Sequence, residues 1–206
     1  MSTASLTETE RSELCDLMLE VGPEAPTLNE GWQVLDLAAH LVAREHDLWA
    51  TGGLLLRPLA GVLEMAMKRR RRRGLDTLVA TIRAGEPVWW RLAPRGAQLT
   101  EYYIHHEDVR RPNGRGPRRD RPDLDQKLGR LVAASARIML RRVDSGVELR
   151  WNEETLDEHG PEPRAILEGP PGELLLYLSG RRQAAVITLG GDADAVAALE
   201  SASLGV

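Results

Sequence analysis

Residues 99–112 of this chain read Leu-Thr-Glu-Tyr-Tyr-Ile-His-His-Glu-Asp-Val-Arg-Arg-Pro. Glu101 precedes His105 by four residues, and residues four apart lie one above the other on the same face of an α-helix. Pro112 indicates where that helix ends. The carboxylate and the imidazole of such a pair can bind one metal ion, each at about 2.0–2.2 Å. The same pair also stabilises a helix without any metal, so the spacing alone leaves both interpretations open.

A third ligand is available in an earlier helical stretch, residues 32–48, at His40. His40 lies at the edge of the apolar face of this predicted helix, where a histidine is either a ligand or a packed core residue. Asp36 precedes it by one turn and either orients its imidazole as a neighbouring carboxylate or is solvated. His106 is rotated by about 100° from His105 on an ideal helix and is expected to point away from the Glu101 face.

The composition excludes several classes of protein. The chain has 206 residues and a formal net charge of −4, which argues against a nucleic-acid-binding protein held by overall charge. Its one cysteine, Cys15, excludes an intramolecular disulfide and a multi-cysteine zinc site, and its place beside an apolar stripe predicts a packed thiol. With no signal-like apolar segment and no membrane-length apolar run, we expect a soluble cytoplasmic protein with no membrane partner.

Six consecutive cations at Lys68–Arg73 allow two interpretations. Such a run could bind phosphate or an anionic membrane, or it could be the solvated end of a helix, where cations complement the helix dipole. We favour the solvated end because the chain is acidic overall.

Hydrophobic periodicity predicts an α+β protein. Helical patterns dominate up to residue 142, and strand-like alternation begins after Asp144-Ser-Gly146. The pattern therefore predicts a helical bundle at residues 1–144 and a small α+β module at 145–206. The predicted helices begin with one capped by Thr7 and Glu10, followed by 32–48, 54–73, 75–84, 101–111, 124–142, 171–179 and 193–203, and the predicted strands are 147–151, 164–168 and 184–189.

The two motifs together resemble a known family. Trp32-x-x-x-Asp36-x-x-x-His40-Leu41 with Glu101-x-x-x-His105-x-x-Asp108 is similar to the mycothiol-dependent maleylpyruvate isomerase family, within the wider DinB-like group. Residues 169–181, Gly-Pro-Pro-Gly-Glu-Leu-Leu-Leu-Tyr-Leu-Ser-Gly-Arg, are similar to a helix of that family's second domain. The resemblance implies a DinB-like four-helix bundle that binds a metal, followed by a small α/β domain related to sterol carrier proteins.

The resemblance also assigns roles to residues of this chain. It implies that His40, Glu101 and His105 are the metal ligands. An arginine of the second domain assists catalysis in that family, which points to Arg181, with Arg182 as the alternative. The substrate does not transfer with these residues.

Two histidines and one carboxylate leave a fourth coordination position open, as in catalytic zinc sites, although other divalent ions fit the same ligands. The first functional hypothesis is a thiol-dependent isomerase or S-transferase, in which the metal holds mycothiol or another small thiol and delivers it to an electrophilic substrate. The second is a metal-dependent hydrolase with Asp108, rather than Glu107, as base. The third is a non-catalytic protein that binds a metal or an apolar ligand.

Overall fold

The structure is a computed structural model, and it describes residues 5–46, 60–85, 87 and 96–205. Within these ranges the chain forms eight helices and one mixed sheet of four strands, which confirms the α+β class. The chain divides into two compact units, Met1–Gly116 and Pro117–Val206. None of the described helices has both the length and the apolarity needed to cross a bilayer.

The described part of the first unit is helical. Its helices are α1 (Leu6–Val21), α2 (Val34–His46), α3 (Ala60–Arg71), α4 (Leu75–Ala84) and α5 (Ala97–Arg110). Helix α1 packs against α4 and α5, and α2 packs against α3 and α4. Their apolar faces form one core of leucine, valine, alanine and methionine side chains, as the spacing of these residues predicts. The first residues of the predicted helix 54–73 lie outside the described residues.

The start of α1 differs from the prediction. Ser5 is the N-cap: its hydroxyl accepts a hydrogen bond from the backbone N–H of Glu8, and the Glu8 carboxylate accepts one from the backbone N–H of Ser5. The predicted capping pair, Thr7 and Glu10, has the same spacing but is not used. Glu10 instead lies on the buried face of α1 in line with Leu14.

The second unit carries the sheet. Its elements are α6 (Pro122–Met139), β1 (Gly146–Trp151), β2 (Glu154–His159), β3 (Arg164–Glu168), α7 (Pro171–Leu178), β4 (Thr188–Gly191) and α8 (Ala193–Ser201). The strand order is β2-β1-β3-β4, with β1 and β3 parallel and the other two pairs antiparallel. Helix α8 packs against β3 and β4, and the side chain of Asp192 caps its first turn.

The division between the units differs from the predicted boundary after residue 144. Helix α6 belongs to the second unit, where it packs against α7 and β2. The spacing of apolar residues shows which face of an amphipathic helix is buried, but not which neighbour covers that face. For this reason the sequence pattern grouped α6 with the helices that precede it.

Two strands also differ from the prediction. β2 was not predicted; it follows a two-residue turn in which Asn152 and Glu153 both have positive φ, as type I′ hairpin turns require. The predicted buried strand 184–189 is wrong in its first part, because the described strand is Thr188–Gly191 and Val186 is 58% exposed.

Gly146, at the start of β1, leaves no room for a side chain. A Cβ atom there would lie 2.0 Å from the carbonyl oxygen of Pro161 and 3.0 Å from that of Pro163, whereas a Cβ at Gly190 in β4 would meet nothing within 4 Å. We expect Gly146→Ala to lower the free energy of unfolding by about 1–3 kcal/mol, the usual cost of overpacking. Gly190→Ala is the matched control and should change it by less than about 0.5 kcal/mol. Urea denaturation measures both, and equal losses would contradict this packing.

Candidate metal centre

Helix α5 is buried along most of its length, although it is rich in ionisable residues. All eight consecutive residues from Tyr102 to Val109 are buried. Among them His105, His106, Glu107 and Asp108 are each at most 6% exposed. Polar groups removed from water need hydrogen-bond or metal partners. The contacts of these four side chains therefore show which of them could bind a ligand.

The three residues of the predicted ligand set are neighbours, but among the described residues their ligand atoms are not all within 4.8 Å of one another. His105 Nε2 lies 3.4 Å from Glu101 Oε2, one turn apart on α5. The ring of His40, on α2, contacts the ring of His105 edge-on with 5.3 Å between centroids, and its other neighbour is the ring of Trp32 at the same distance. The two histidine side chains are buried and that of Glu101 is 29% exposed, so the carboxylate is the most accessible of the three.

His40 has the features of a metal ligand. Its Nδ1 atom is buried, and none of the described residues forms a hydrogen bond with it. A buried ring nitrogen without a partner is unfavourable, and metal coordination would satisfy it. Burial, with a smaller contribution from His105, lowers the pKa of His40 to about 3. The imidazole is therefore neutral, which is the form that binds metals.

Asp108 holds the ring of His105 from the opposite side. His105 Nδ1 lies 2.9 Å from Asp108 Oδ2, and Asn29 Nδ2 donates to the same carboxylate oxygen at 3.1 Å. Burial alone would lower the pKa of His105, but the hydrogen bonds to Asp108 and Glu101 outweigh it and raise this pKa. A carboxylate on Nδ1 fixes the ring orientation and directs Nε2 toward Glu101, as in carboxylate–histidine–metal arrangements.

Arg44 is a member of the site that sequence reasoning did not assign. Its guanidinium lies 3.1 Å from Glu101 Oε1, and its side chain is 9% exposed. Burial opposes ionisation of Glu101, but the hydrogen bond with His105 and the charge of Arg44 lower its pKa to about 2. The available signal was the position of Arg44, one turn after His40 on the same row of α2.

Asp36 has contacts other than the predicted one. Its Oδ2 accepts a hydrogen bond from the backbone N–H of Gln33 before α2. Its Oδ1 pairs with Arg71 at 2.6 Å, at the exposed cationic end of α3. The described contacts of Asp36 do not include the imidazole of His40.

A second group of metal-ligating side chains lies where α1 contacts α5. Glu10, Glu13 and His106 each offer one ligand atom, and these atoms all lie within 4.8 Å of one another. Among the described residues this is a possible metal site with a Glu/Glu/His donor set.

Two solved structures are similar to this chain: mycothiol-dependent maleylpyruvate isomerase, and a variant of that enzyme with one histidine replaced by alanine. Each aligns with a TM-score of 0.60 over 90% of this chain and 90% of its own, at 16% sequence identity. The fold is similar to that of this isomerase. The resemblance predicted from the sequence motifs is confirmed at the level of the fold, and at this identity the similarity shows the fold alone. No family model and no curated protein sequence matches the chain.

The two candidate arginines after α7 differ in their surroundings. The Arg182 guanidinium donates to the backbone oxygens of Leu199 and Ala202 at 2.9 and 2.6 Å, at the end of α8, and lies 5.4 Å from the ring centroid of Tyr177. Arg181 donates to the backbone oxygen of Ser179 at 2.7 Å and is half-buried. Arg182 thus serves as a cap for α8.

Cys15 is buried in the core, as its place in the sequence predicted. It is 0% exposed, and its Sγ lies 3.9 Å from the carbonyl oxygen of Val79. Burial raises the pKa of this thiol to about 11. A thiol of this kind is a poor nucleophile at neutral pH.

We expect the folded protein to react slowly with iodoacetamide at pH 8. The raised pKa of Cys15 leaves so little thiolate that alkylation should be at least about 100-fold slower than in the urea-denatured chain. Mass spectrometry of timed samples measures both rates. Comparable rates in the folded and denatured protein would show that Cys15 is accessible and ionised.

Proposed function

We propose that this protein is a metal-dependent isomerase or S-transferase that uses mycothiol or a related small thiol and acts on a small electrophilic substrate. The observation that carries the proposal is the buried, unpartnered Nδ1 of His40, packed against His105 beside Glu101. The similar fold of an enzyme whose name specifies mycothiol supports the choice of co-substrate.

In this proposal His40, Glu101 and His105 hold a divalent metal, with zinc the best fit to two imidazoles and one carboxylate. When bound, such an ion acts as a Lewis acid and keeps a thiol in its thiolate form near neutral pH. Asp108 keeps the His105 ring in place, and Arg44 holds one oxygen of Glu101. The ligand set then contributes a single anionic group, which favours an anionic fourth ligand.

The nucleophilic sulfur must come from outside the chain, because Cys15 is buried and protonated at neutral pH. Arg181 is proposed to hold a carboxylate of the substrate in a bidentate pair. The hydrolase alternative requires Asp108 as a general base, but Asp108 is fully buried and already bound to His105 and Asn29. The contacts of Asp108 therefore favour thiol chemistry over hydrolysis.

The first test of the ligand set is the zinc content of variants. We expect His40→Gln and His105→Gln each to lower zinc bound by the purified protein by about one equivalent per chain, because each removes a ligand. His46→Gln is the matched control on α2 and should retain the wild-type content. Elemental analysis with circular dichroism of each variant measures metal and folding together. Unchanged zinc in folded His40→Gln and His105→Gln protein would contradict the ligand set.

The second test is thiol binding. We expect mycothiol to bind the zinc-loaded protein and to release about one proton, because the thiol ionises on binding. Calorimetric titration in two buffers of different ionisation enthalpy measures this, with metal-free protein as the control. Turnover is then assayed with maleylpyruvate, the substrate named for the similar enzyme, as the first electrophile. In that assay we expect Arg181→Met to raise the KM for this substrate without abolishing thiol binding.

Two results would contradict the hypothesis of a thiol-dependent isomerase or S-transferase. Hydrolysis of a simple ester without any thiol, together with no metal-dependent thiol binding, would establish the hydrolase alternative. A loss of thermal stability on metal removal without turnover of any substrate would favour the non-catalytic alternative.

A further inference from the structure

We propose that the Glu10, Glu13 and His106 side chains form a second divalent-metal site, separate from the His40, Glu101 and His105 set. The geometry that points to it is the meeting of two carboxylates from α1 and one imidazole from α5, with ligand atoms all within 4.8 Å of one another. This proposal does not depend on the proposed enzymatic function.

The position of Glu10 in α1 is unusual for a glutamate. It lies on the buried face with Leu14, Leu17 and Met18, at a position where the helical pattern calls for an apolar residue. The capping box of α1 is made by Ser5 and Glu8, so capping does not account for Glu10. Its side chain is instead directed into the contact between α1 and α5, where it meets His106.

The distance between Glu10 and His106 is a hydrogen-bond distance, and it is close to the separation of two ligands that share one metal ion. His106 Nδ1 lies 3.2 Å from Glu10 Oε2, and both side chains are buried. Two ligands that bind one zinc at about 2.0–2.2 Å in a tetrahedral arrangement lie roughly 3.3–3.6 Å apart. Small side-chain rotations would bring the three donor atoms from within 4.8 Å to this spacing.

Glu13 completes the set from one turn further along α1. Residues three apart share a helix face, so its carboxylate lies on the same side of α1 as that of Glu10. Glu13 is half-buried, whereas Glu10 and His106 are buried, so the ion would reach the site from the Glu13 side. Two carboxylates and one imidazole are a hard to borderline donor set that suits Zn²⁺, Mn²⁺ or Fe²⁺.

The test uses Zn²⁺ alone, titrated calorimetrically into metal-free protein. We expect the wild type to bind two equivalents, and the double variant His40→Gln/His105→Gln to bind one. Adding Glu13→Gln to that double variant should weaken the remaining site by more than about tenfold. The matched control is Glu20→Gln, an exposed glutamate on the same helix, which should leave binding unchanged.

Different outcomes separate this proposal from the proposed function. If the double variant binds no zinc, or if Glu13→Gln and His106→Gln leave its zinc binding unchanged, the second site is overturned and the Glu10–His106 contact is a hydrogen bond without an ion. If the wild type binds one zinc that Glu13→Gln removes and the His40→Gln/His105→Gln pair does not, the second site stands while the first ligand set falls. Should the double variant fail to fold, Glu13→Gln in the wild-type background decides, because it should weaken one of the two zinc sites by more than about tenfold.

Discussion

The constraint on which the first unit depends is that α5 places charged and polar side chains where water cannot solvate them. Glu107 and Asp108 are completely buried, and His105 and His106 nearly so. A buried charge left without its partner costs about 3–5 kcal/mol, so every one of these groups must be paired. Glu107 pairs with Arg110 and with Arg111, which follows the last residue of α5. Asp108 pairs with His105 on the same helix and with Asn29, and His106 pairs with Glu10 of α1. The helix is thereby fixed in rotation by its polar contacts as well as by its apolar ones.

Two consecutive histidines on a helix point in directions about 100° apart, and α5 uses both directions. His105 meets α2 through the ring of His40, and His106 meets α1 through the carboxylate of Glu10. A shift of α5 by one residue would leave only one of these two neighbours facing a histidine. These two contacts explain how α5, a helix with little apolar amphipathicity, keeps one rotational position against α1 and α2, because its two histidines contact different partners.

The parts of the fold that follow from local pattern could be predicted, and the parts set by tertiary contacts could not. Helix α4 and strand β3 have the predicted bounds because a clear apolar period and flanking turn residues define them. Strand β2 was not predicted because it is an edge strand that faces water and carries charges instead of alternating apolar residues. Val186 lies in an apolar run that predicted a buried strand, but its backbone N–H donates to the Glu173 carboxylate instead. For the site, spacing on α5 placed Glu101 and His105 on one face, whereas the pairing of Arg44 with Glu101 depends on how two helices cross.

Packing alone does not account for the ionisable residues of α5. Replacing buried ion pairs with apolar residues of similar volume is often neutral or stabilising, so a helix selected only for packing would carry leucines at several of these positions. The contact of Arg44 with Glu101 makes the same point, because it keeps a buried cation beside a carboxylate that His105 already engages. Of the His40, Glu101 and His105 side chains, only the carboxylate is substantially open to solvent, at 29%. In the proposed metal site a ligand would therefore approach from the Glu101 side, with the imidazoles behind it, which suits a site with a fourth, exchangeable ligand.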